Sequence, residues 1–200
     1  MAGFKFEIVI PSDNYTYNFT SDYPAENNAV INWGDSTNDN FVGIATIDHL
    51  YSTAGTYIVE ITGQLSSLNF QNNSEIRRII HWGDGVDFVG FSRHILAYNS
   101  GIERIEDGSS ILSVPGFAIT SLKDMFSDCG NLQYVSGEIF ANLQEVTTIQ
   151  SIFEGCLQLR NIDSSIFSSL INLQNAQDAF KAAGLKEIPN GLFDRNPLIT

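Results

Sequence analysis

Cysteine is scarce in this sequence, with two residues among 200. Two cysteines in a chain of this length make no disulfide framework, so apolar burial and backbone hydrogen bonds must hold the fold. Basic residues are also few, since 10 lysines and arginines stand against 23 aspartates and glutamates, for a formal net charge of -13. This charge repels phosphate groups, which argues against nucleic acid and anionic membrane surfaces as main partners.

The sequence also lacks segments that would place it in a membrane or direct its secretion. No apolar run approaches the roughly 18 residues of a membrane helix. The start, Met1 to Glu7, has neither the charged beginning nor the apolar run of a secretion signal. We expect no membrane insertion and an extracellular location, either on a cell surface, with the signal absent from this chain, or in a phage virion released by lysis.

Motifs that carry catalytic or metal chemistry are missing. The sequence has no C-x-x-C or H-E-x-x-H zinc spacing, no D-x-D-x-D-G calcium loop, no Walker loop and no G-x-S-x-G element. Acidic residues such as Glu103, Glu106 and Asp107 are abundant here, and solvated turns are their simplest explanation. We therefore predict a protein that is not an enzyme, with no metal site, no catalytic residue and no cofactor.

The first 63 residues show the pattern of a small antiparallel sandwich. Phe4, Phe6, Ile8 and Ile10 occupy alternate positions, which is the period of a half-buried strand. Asx-rich and glycine-rich breaks separate the apolar segments and supply turns. The predicted strands are Phe4–Ile10, Tyr15–Phe19, Ala29–Trp33, Phe41–Ile47 and Thr56–Ile61. Short strands joined by polar turns favour an all-β domain.

Three short motifs occur in this region, and they are Trp33-Gly34-Asp35-Ser36, His49-Leu50-Tyr51 and Gly55-Thr56-Tyr57-Ile58-Val59. In this order they resemble the polycystic-kidney-disease-type domain, an immunoglobulin-like sandwich of bacterial surface proteins and extracellular enzymes. The resemblance implies a core position for Trp33 and a turn at Gly34 and Asp35. It also implies that His49 and Tyr51 brace a late strand. We expect Asp35 to form an Asx turn and His49 to be a hydrogen-bonded core histidine, not a catalytic pair.

The rest of the chain is internally periodic. A Leu-x-x-Ile-like pair recurs five times, at Ile76–Ile79, Ile102–Ile105, Leu132–Val135, Leu159–Ile162 and Leu185–Ile188. The first residues of successive pairs are 26, 30, 27 and 26 residues apart, a period of one supersecondary unit. We predict that each pair forms a short strand on one side of its unit.

Two rows of phenylalanine follow the same period, and they are Phe126, Phe153 and Phe180, then Phe140, Phe167 and Phe193. Apolar residues at helical spacing predict short helices before the first row, at residues 121–126 and 175–180 for example. Stacking of neighbouring units would bury the Leu, Ile and Phe rows as one core. Cys129 and Cys156 occupy equivalent positions, and we expect adjacent buried thiols, with a disulfide as the alternative that the fold does not require.

The pattern Met-Phe-Ser-x-Cys-x-x-Leu resembles the BspA-type leucine-rich repeats of bacterial surface proteins, over about Leu68 to Thr200. The resemblance implies adhesion or recognition through an exposed solenoid face. The stretch Val86–Ala118 fits the repeat poorly, and Ala183 replaces the cysteine of the two preceding copies. The expected fold class is two domains, an all-β immunoglobulin-like sandwich at 1–64 and an α/β leucine-rich-repeat solenoid of about five repeats of 26–30 residues at 65–200.

Residues between the inward Leu and Ile of each pair must face outward in an extended strand. They define the predicted binding face, which comprises Arg77, Arg78, Glu103, Arg104, Gln133, Tyr134, Arg160, Asn161, Lys186 and Glu187. We expect recognition of a protein or glycan ligand on a host cell or matrix through this face, although these residues would also serve simply to solubilise the sheet. The alternative is a structural virion protein, in a phage capsid decoration, tail or fibre, with neighbouring virion proteins as partners. The repeat frame also predicts that a further segment or another chain covers the end at Thr200.

Overall fold

The computed structural model describes residues 3–20, 28–42, 46–65, 68–83, 86–88, 96–106, 119–141 and 143–199. The strands are β1 (Phe4–Ile10), β2 (Tyr15–Thr20), β3 (Asn28–Asn32), β4 (Asn38–Val42), β5 (Thr46–Tyr51), β6 (Gly55–Leu65), β7 (Ile76–His81), β8 (Val86–Phe88), β9 (Arg104–Ile105) and β10 (Tyr134–Val135). One mixed sheet has the order β10-β9-β7-β1-β6-β3-β4, with β8 beside β6. The second sheet consists of β2 and β5, and the two sheets form the sandwich described below.

The sandwich core lies between β1 and the β2–β5 sheet. Strand β1 pairs antiparallel with both β6 and β7, and every second side chain of β1 is buried. The rings of Phe6 and Phe19 meet edge to face, with their centroids 6.4 Å apart. Trp33 is fully buried, and the Tyr51 hydroxyl donates a hydrogen bond to its carbonyl at 2.8 Å. The core position that the sequence predicts for Trp33 is therefore confirmed.

Four of the five strands predicted in the first 63 residues are present, with small shifts at their ends. The fifth, Phe41–Ile47, is wrong, because β4 ends at Val42 and β5 begins at Thr46. Residues 43–45, between these strands, lie outside the described part of the chain. Strand β4 pairs with β3 in the large sheet and β5 pairs with β2 in the small sheet, so one apolar run is divided between two sheets.

The large sheet continues from the sandwich into the repeats. Strand β7 pairs antiparallel with β1 and parallel with β9, and β9 pairs parallel with β10. These three strands overlap the first three predicted Leu-x-x-Ile pairs. Residues 159–162 and 185–188 form no strand, so the last two predicted strands are wrong. In the final pair Ile188 is about half exposed, which shows that the inward row is not maintained there.

Residues 119–199, apart from residue 142, form a series of turns that we name the turn array. Parallel bridges join Ser121 to Thr148 and Thr148 to Asn175, so successive turns lie side by side. The rings of Phe126, Phe153 and Phe180 stack with centroids 5.4 and 5.8 Å apart. The second row, Phe140, Phe167 and Phe193, stacks at 5.9 and 5.7 Å. Both phenylalanine rows therefore contribute to one shared interior, as the sequence predicts.

The predicted fold class, an immunoglobulin-like sandwich plus an α/β leucine-rich-repeat solenoid, is wrong. The described residues are all-β with turns and contain no helix. In the predicted helix 121–126, the N–H of Met125 bonds to the carbonyl of Leu122, three residues back, and Asp124 has a left-handed φ of 58°. A right-handed α-helix needs bonds four residues back and negative φ values. Successive turns closed by bonds three residues back place inward side chains at nearly the spacing of a helix. This similarity explains the incorrect prediction of helices.

A column of left-handed residues marks the turns, with φ values of 62° at Asn72, 57° at Tyr98, 56° at Asp128, 72° at Gly155 and 56° at Ala182. The first four each donate their N–H to the carbonyl of the residue just before the next member of the column. Asp128, for example, donates to Glu154 at 2.7 Å. The loop at Asn72 therefore belongs to the same series of turns and connects the array to the sandwich.

Candidate recognition surface

One row of side chains crosses five strands of the large sheet. The strand register places Glu7 opposite Ile58 on one side and Arg78 on the other. It continues from Arg78 to Arg104 and from Arg104 to Tyr134. We name these five residues the cross-sheet row. The row begins on β6 and β1 of the sandwich and ends on β10 among the repeats, so both parts of the molecule contribute to one face.

Charge pairs join members of this row. Arg78 Nη2 donates to Glu7 Oε2 at 2.6 Å, and Arg78 Nη1 lies 3.4 Å from Glu106 Oε2. Arg104 Nε donates to Glu106 Oε1 at 2.9 Å, and Arg104 Cζ lies 4.5 Å from the centre of the Tyr134 ring. The hydrogen bond with Glu7 is the main cause that raises the pKa of Arg78. The two arginines are therefore held in place by acidic and aromatic neighbours.

The partial exposure of this network favours a role in binding over a role in stability. The side chains of Arg78 and Arg104 are 36% and 44% exposed, and exposed ion pairs contribute only about 0.2–1 kcal/mol each. Tyr134 is a large side chain that is 42% exposed. Arginine and tyrosine are enriched where proteins bind other proteins. The repeat end of the row thus has the composition of a contact surface.

The structure brings together only part of the predicted binding face. All ten of its residues are at least partly exposed. Arg78, Arg104 and Tyr134 lie in the cross-sheet row, whereas the guanidinium of Arg77 folds back and donates to the carbonyl of Ser74. Glu103 and Gln133 each lie directly before a strand, β9 and β10. Four further residues of the predicted face lie where no strand forms, and they are Arg160, Asn161, Lys186 and Glu187. The last four are therefore not part of the sheet face.

Sequence reasoning missed two members of the network, Glu7 and Glu106. Glu7 occupies an outward position of the alternating strand β1, but the pairing of β1 with β7 could not be read from the alternation alone. Glu106 follows the inward Ile105 directly, and the sequence favoured a solvated turn for it. The bonds from Arg78 and Arg104 give it a defined place in the network instead.

Asp35 and His49 form a structural cluster around the buried tryptophan. Asp35 Oδ1 accepts hydrogen bonds from the N–H and the hydroxyl of Thr37, at 3.0 and 2.6 Å. Its Oδ2 lies 2.8 Å from His49 Nε2, and the His49 ring stacks on Trp33 with the centroids 4.5 Å apart. Burial raises the pKa of Asp35, but the bonds from Thr37 and His49 outweigh it and hold the pKa below its ordinary value. The predicted Asx turn is confirmed, and His49 is hydrogen-bonded and packed on the core Trp33, with 11% of its side chain exposed.

A polar cleft of about 310 Å³ lies between β2 and residues 69–75. At one end the N–H of Asn69 donates to the carbonyl of Thr20 at 2.9 Å. At the other end the Tyr15 hydroxyl donates to Glu75 Oε1 at 2.5 Å, and this bond is the main cause that raises the pKa of Tyr15 to about 12. The polar groups at both ends thus attach the loop at residues 69–75 to the sandwich. We interpret the cleft as part of this connection and not as a ligand site.

The two cysteines are buried and free, as the sequence predicts. Cys129 Sγ donates to the carbonyl of Leu96 at 3.0 Å, and Cys156 Sγ donates to that of Phe126 at 3.1 Å. Burial raises the pKa of Cys129 to about 12, and it raises the pKa of Cys156 well above its ordinary value. Both thiols therefore stay protonated and serve as hydrogen-bond donors between turns.

Neither a cluster of metal-binding side chains among the described residues nor a similar known protein indicates another site. Across the described ranges, no group of three or more His, Cys, Asp or Glu side chains is placed to hold a metal ion. The same ranges contain no helix with the length and apolar character needed to span a bilayer. No protein-family model, curated protein or solved structure matches the chain. The resemblances to polycystic-kidney-disease-type domains and BspA-type repeats therefore stay predictions.

Proposed function

We propose that the protein is a non-enzymatic recognition protein that binds a protein or glycan ligand on a cell surface or in a matrix through the cross-sheet row. The observation that carries the proposal is the bonded network that runs from Glu7 through Arg78 and Glu106 to Arg104 and Tyr134. A row held in place before binding loses less side-chain entropy when the ligand arrives.

The repeat end of the row fits a ligand that carries carboxylate or hydroxyl groups. Glu106 binds the Nε of Arg104, and no hydrogen bond among the described residues uses the two Nη groups of Arg104. A guanidinium fork of this kind donates hydrogen bonds to a planar carboxylate or to two sugar hydroxyl oxygens. The exposed ring of Tyr134 supplies an apolar surface beside it. We expect Arg104 and Tyr134 to contribute most of the binding energy.

Binding of the labelled full chain to fixed cells and to immobilised collagen and fibronectin tests the proposal. We expect Arg104→Ala and Tyr134→Ala each to weaken binding about tenfold or more, because central arginine and tyrosine contacts often cost over about 1.4 kcal/mol when truncated. Leu198→Ala is the matched control, since Leu198 is 50% exposed in the turn array and lies outside the row. Equal binding by the control and both row variants would contradict the proposal.

Mass spectrometry of extracellular material and of phage particles from the source separates cell-surface recognition from the virion alternative. A longer, signal-cleaved protein on a cell envelope supports recognition of a host or matrix ligand. A stoichiometric component of purified particles would instead make this a structural virion protein. In that case the row variants should reduce incorporation into particles, because the same face would contact a neighbouring virion protein.

A further inference from the structure

Three charge pairs lie on the face of the large sheet that points away from β2 and β5, which we name the outer sheet face. They are Lys5–Glu60, Arg78–Glu7 and Arg104–Glu106, with N···O distances of 3.3, 2.6 and 2.9 Å. These six side chains contribute no net charge, so the net charge of -13 comes from the rest of the chain. The three pairs therefore form a charge-balanced surface on an acidic protein.

A hollow of about 320 Å³ opens on the sandwich end of the outer sheet face, where β3, β4 and β6 lie side by side. Its lining comprises Val30, Asn32, Asn38, Glu60 and Thr62. The carboxylate of Glu60 is paired with Lys5, whereas no hydrogen bond within the described ranges uses the side chains of Asn38 or Thr62. The hollow therefore offers a carboxamide and a hydroxyl group beside Val30, which is 42% exposed.

The strand register connects the hollow to the cross-sheet row. Asn32 lies opposite Glu60, and Glu60 lies opposite Lys5 on β1, the strand that also carries Glu7 of the row. Four steps between neighbouring strands separate β3 from β9, which is roughly 19 Å at about 4.8 Å per step. A ligand that contacts both Asn32 and Arg104 must therefore be extended and lie across the strands.

The charge pairs favour an uncharged ligand on this face. A ligand carboxylate at the Nη groups of Arg104 would lie close to Glu106, which already binds the Nε of the same guanidinium at 2.9 Å. The acidic protein as a whole would also repel an acidic chain. A cationic ligand would find the carboxylates of the three pairs already bound to basic side chains. Hydrogen bonds to neutral groups avoid these costs.

The distribution of apolar side chains favours a sugar chain over a protein. Four large apolar side chains on the described part of this face are at least 40% exposed, and each lies opposite a polar or charged residue in the strand register. They are Val30, Val42, Ile58 and Tyr134. Protein interfaces centre on clustered apolar and aromatic anchors. A sugar chain instead presents hydroxyl groups and C–H groups in alternation, which matches this face.

We infer that the outer sheet face binds a neutral oligosaccharide, which lies across the strands from the hollow to Arg104 and Tyr134. The inference rests on the proposed recognition function and names its ligand class. Sugar hydroxyl oxygens accept hydrogen bonds from the Nη groups of Arg104, and other hydroxyl groups bond to the side chains of Asn38 and Thr62. Because the ligand carries no charge, its affinity should respond little to salt.

A glycan microarray that presents neutral and acidic glycans, probed with the labelled full chain, tests the ligand class. We expect neutral oligosaccharides of several sugar units to bind, with little change in high salt. Binding to acidic glycans alone, or to no glycan, would overturn the inference. If Arg104→Ala still weakens binding to cells or matrix in that case, the proposed recognition function stands with another ligand class. If it does not, the proposed function fails as well.

Two substitutions at opposite ends of the face test whether one ligand spans it. Thr62→Val removes a hydroxyl group at nearly constant volume, and it should weaken binding of the neutral glycan about threefold to tenfold through the loss of one hydrogen bond. Arg104→Ala should weaken binding of the same glycan about tenfold or more. Thr46→Val is the matched control, because Thr46 is exposed on β5 in the other sheet. Sensitivity of the glycan to only one of the two variants, or an equal effect of Thr62→Val and the control, would overturn the inference.

Discussion

The sandwich and the turn array use phenylalanine and the backbone in different ways. In the sandwich, the rings of Phe6 and Phe19 meet at 84°, and antiparallel strands exchange hydrogen bonds in both directions. In the array, the rings of Phe126 and Phe153 lie at 5° to each other, and parallel bridges and backbone bonds join each turn to the next. The sandwich is therefore built from pairs of antiparallel strands, while the array is built by placing similar turns side by side.

The comparison shows how one sheet can serve two kinds of architecture. Strand β7 pairs antiparallel with β1 on the sandwich side and parallel with β9 on the repeat side. This strand is the place where the two hydrogen-bonding patterns meet. The cross-sheet row crosses β7 at Arg78. We therefore expect a substitution that destabilises the sandwich or the array to lower the stability of the other part as well.

The largest expected effect tests this coupling. Phe153 is fully buried between Phe126 and Phe180, and Phe153→Ala should lower the free energy of unfolding by about 3–5 kcal/mol through the cavity it leaves. The two tryptophans, Trp33 and Trp82, both lie outside the array. We expect tryptophan fluorescence and far-UV circular dichroism to show the same loss in urea unfolding. A fluorescence transition that does not move would mean that the array unfolds separately from the sandwich.

A smaller effect concerns the column of left-handed residues in the array. A left-handed φ costs an ordinary residue roughly 1–2 kcal/mol, and glycine avoids that cost. Because glycine also loses more entropy on folding, Ala182→Gly should stabilise the protein by up to about 1 kcal/mol in thermal unfolding. Ala183→Gly is the matched control and should destabilise it, since Ala183 has no left-handed φ. If both variants lose stability equally, the assigned turn conformation is wrong.

Two aspartates, one in each region, form the same local turn and allow a direct comparison of the regions. Asp35 in the sandwich and Asp163 in the array each bind the N–H and the hydroxyl of the residue two positions ahead, Thr37 and Ser165. Burial raises the pKa of both carboxyls, most of all that of Asp35, but the bonds outweigh it and lower both pKa values. Because His49 also binds Asp35, we expect Asp35→Asn to lower the free energy of unfolding more than Asp163→Asn does.

The pH dependence of that pair follows from the lowered pKa values. A carboxyl whose folded pKa is below its unfolded value contributes stability above the unfolded pKa of about 4, and it loses that stability as the pH falls through the folded pKa. The difference in unfolding free energy between the wild type and Asp35→Asn should therefore be full near neutral pH and shrink in acid. Urea unfolding at several pH values measures it, and a difference that grows in acid would contradict the assignment.

The smallest effect concerns the row that joins the two regions. Glu7→Gln keeps the shape of the side chain but removes the ion pair with Arg78, and it should lower the free energy of unfolding by about 0.2–1 kcal/mol. Salt should diminish the difference, because ions screen a partly exposed pair. Lys5→Gln, which removes the neighbouring pair with Glu60, is the control for a pair within the sandwich. An effect of Glu7→Gln that is unchanged in high salt would show that packing, not charge, holds Arg78.

Much of the sandwich and the interior of the array could be predicted from the sequence, because buried apolar side chains recur at regular intervals along the chain. The alternation of Phe4, Phe6 and Ile8 indicated β1, and the 27-residue interval between Phe126 and Phe153 indicated the stacked rings. The motifs around Trp33 placed the Asx turn correctly. In each case one inward side chain at a fixed interval is enough to define the element.

The pattern of backbone hydrogen bonds, in contrast, could not be predicted from the spacing of apolar residues. The apolar spacing of Leu122, Met125 and Phe126 suits a helix and a series of turns equally. The left-handed φ at Asp124 and the bond from Met125 to the carbonyl three residues back separate the two. Aspartate tolerates that conformation better than most residues, but one such residue is a weak signal. The network at Glu7 and Arg78 was missed for a related reason, since the pairing of β1 with β7 joins residues 71 positions apart.

Scalar couplings through hydrogen bonds, measured by NMR on the labelled protein, test the central claim that residues 119–199, apart from residue 142, form turns held by backbone bonds to neighbouring turns and not helices. We expect couplings from the amide nitrogens of Asp124 and Phe126 to the carbonyl carbons of Gln150 and Ile152. Couplings from the same nitrogens to carbonyls four residues back would show that these segments are helices and would contradict it.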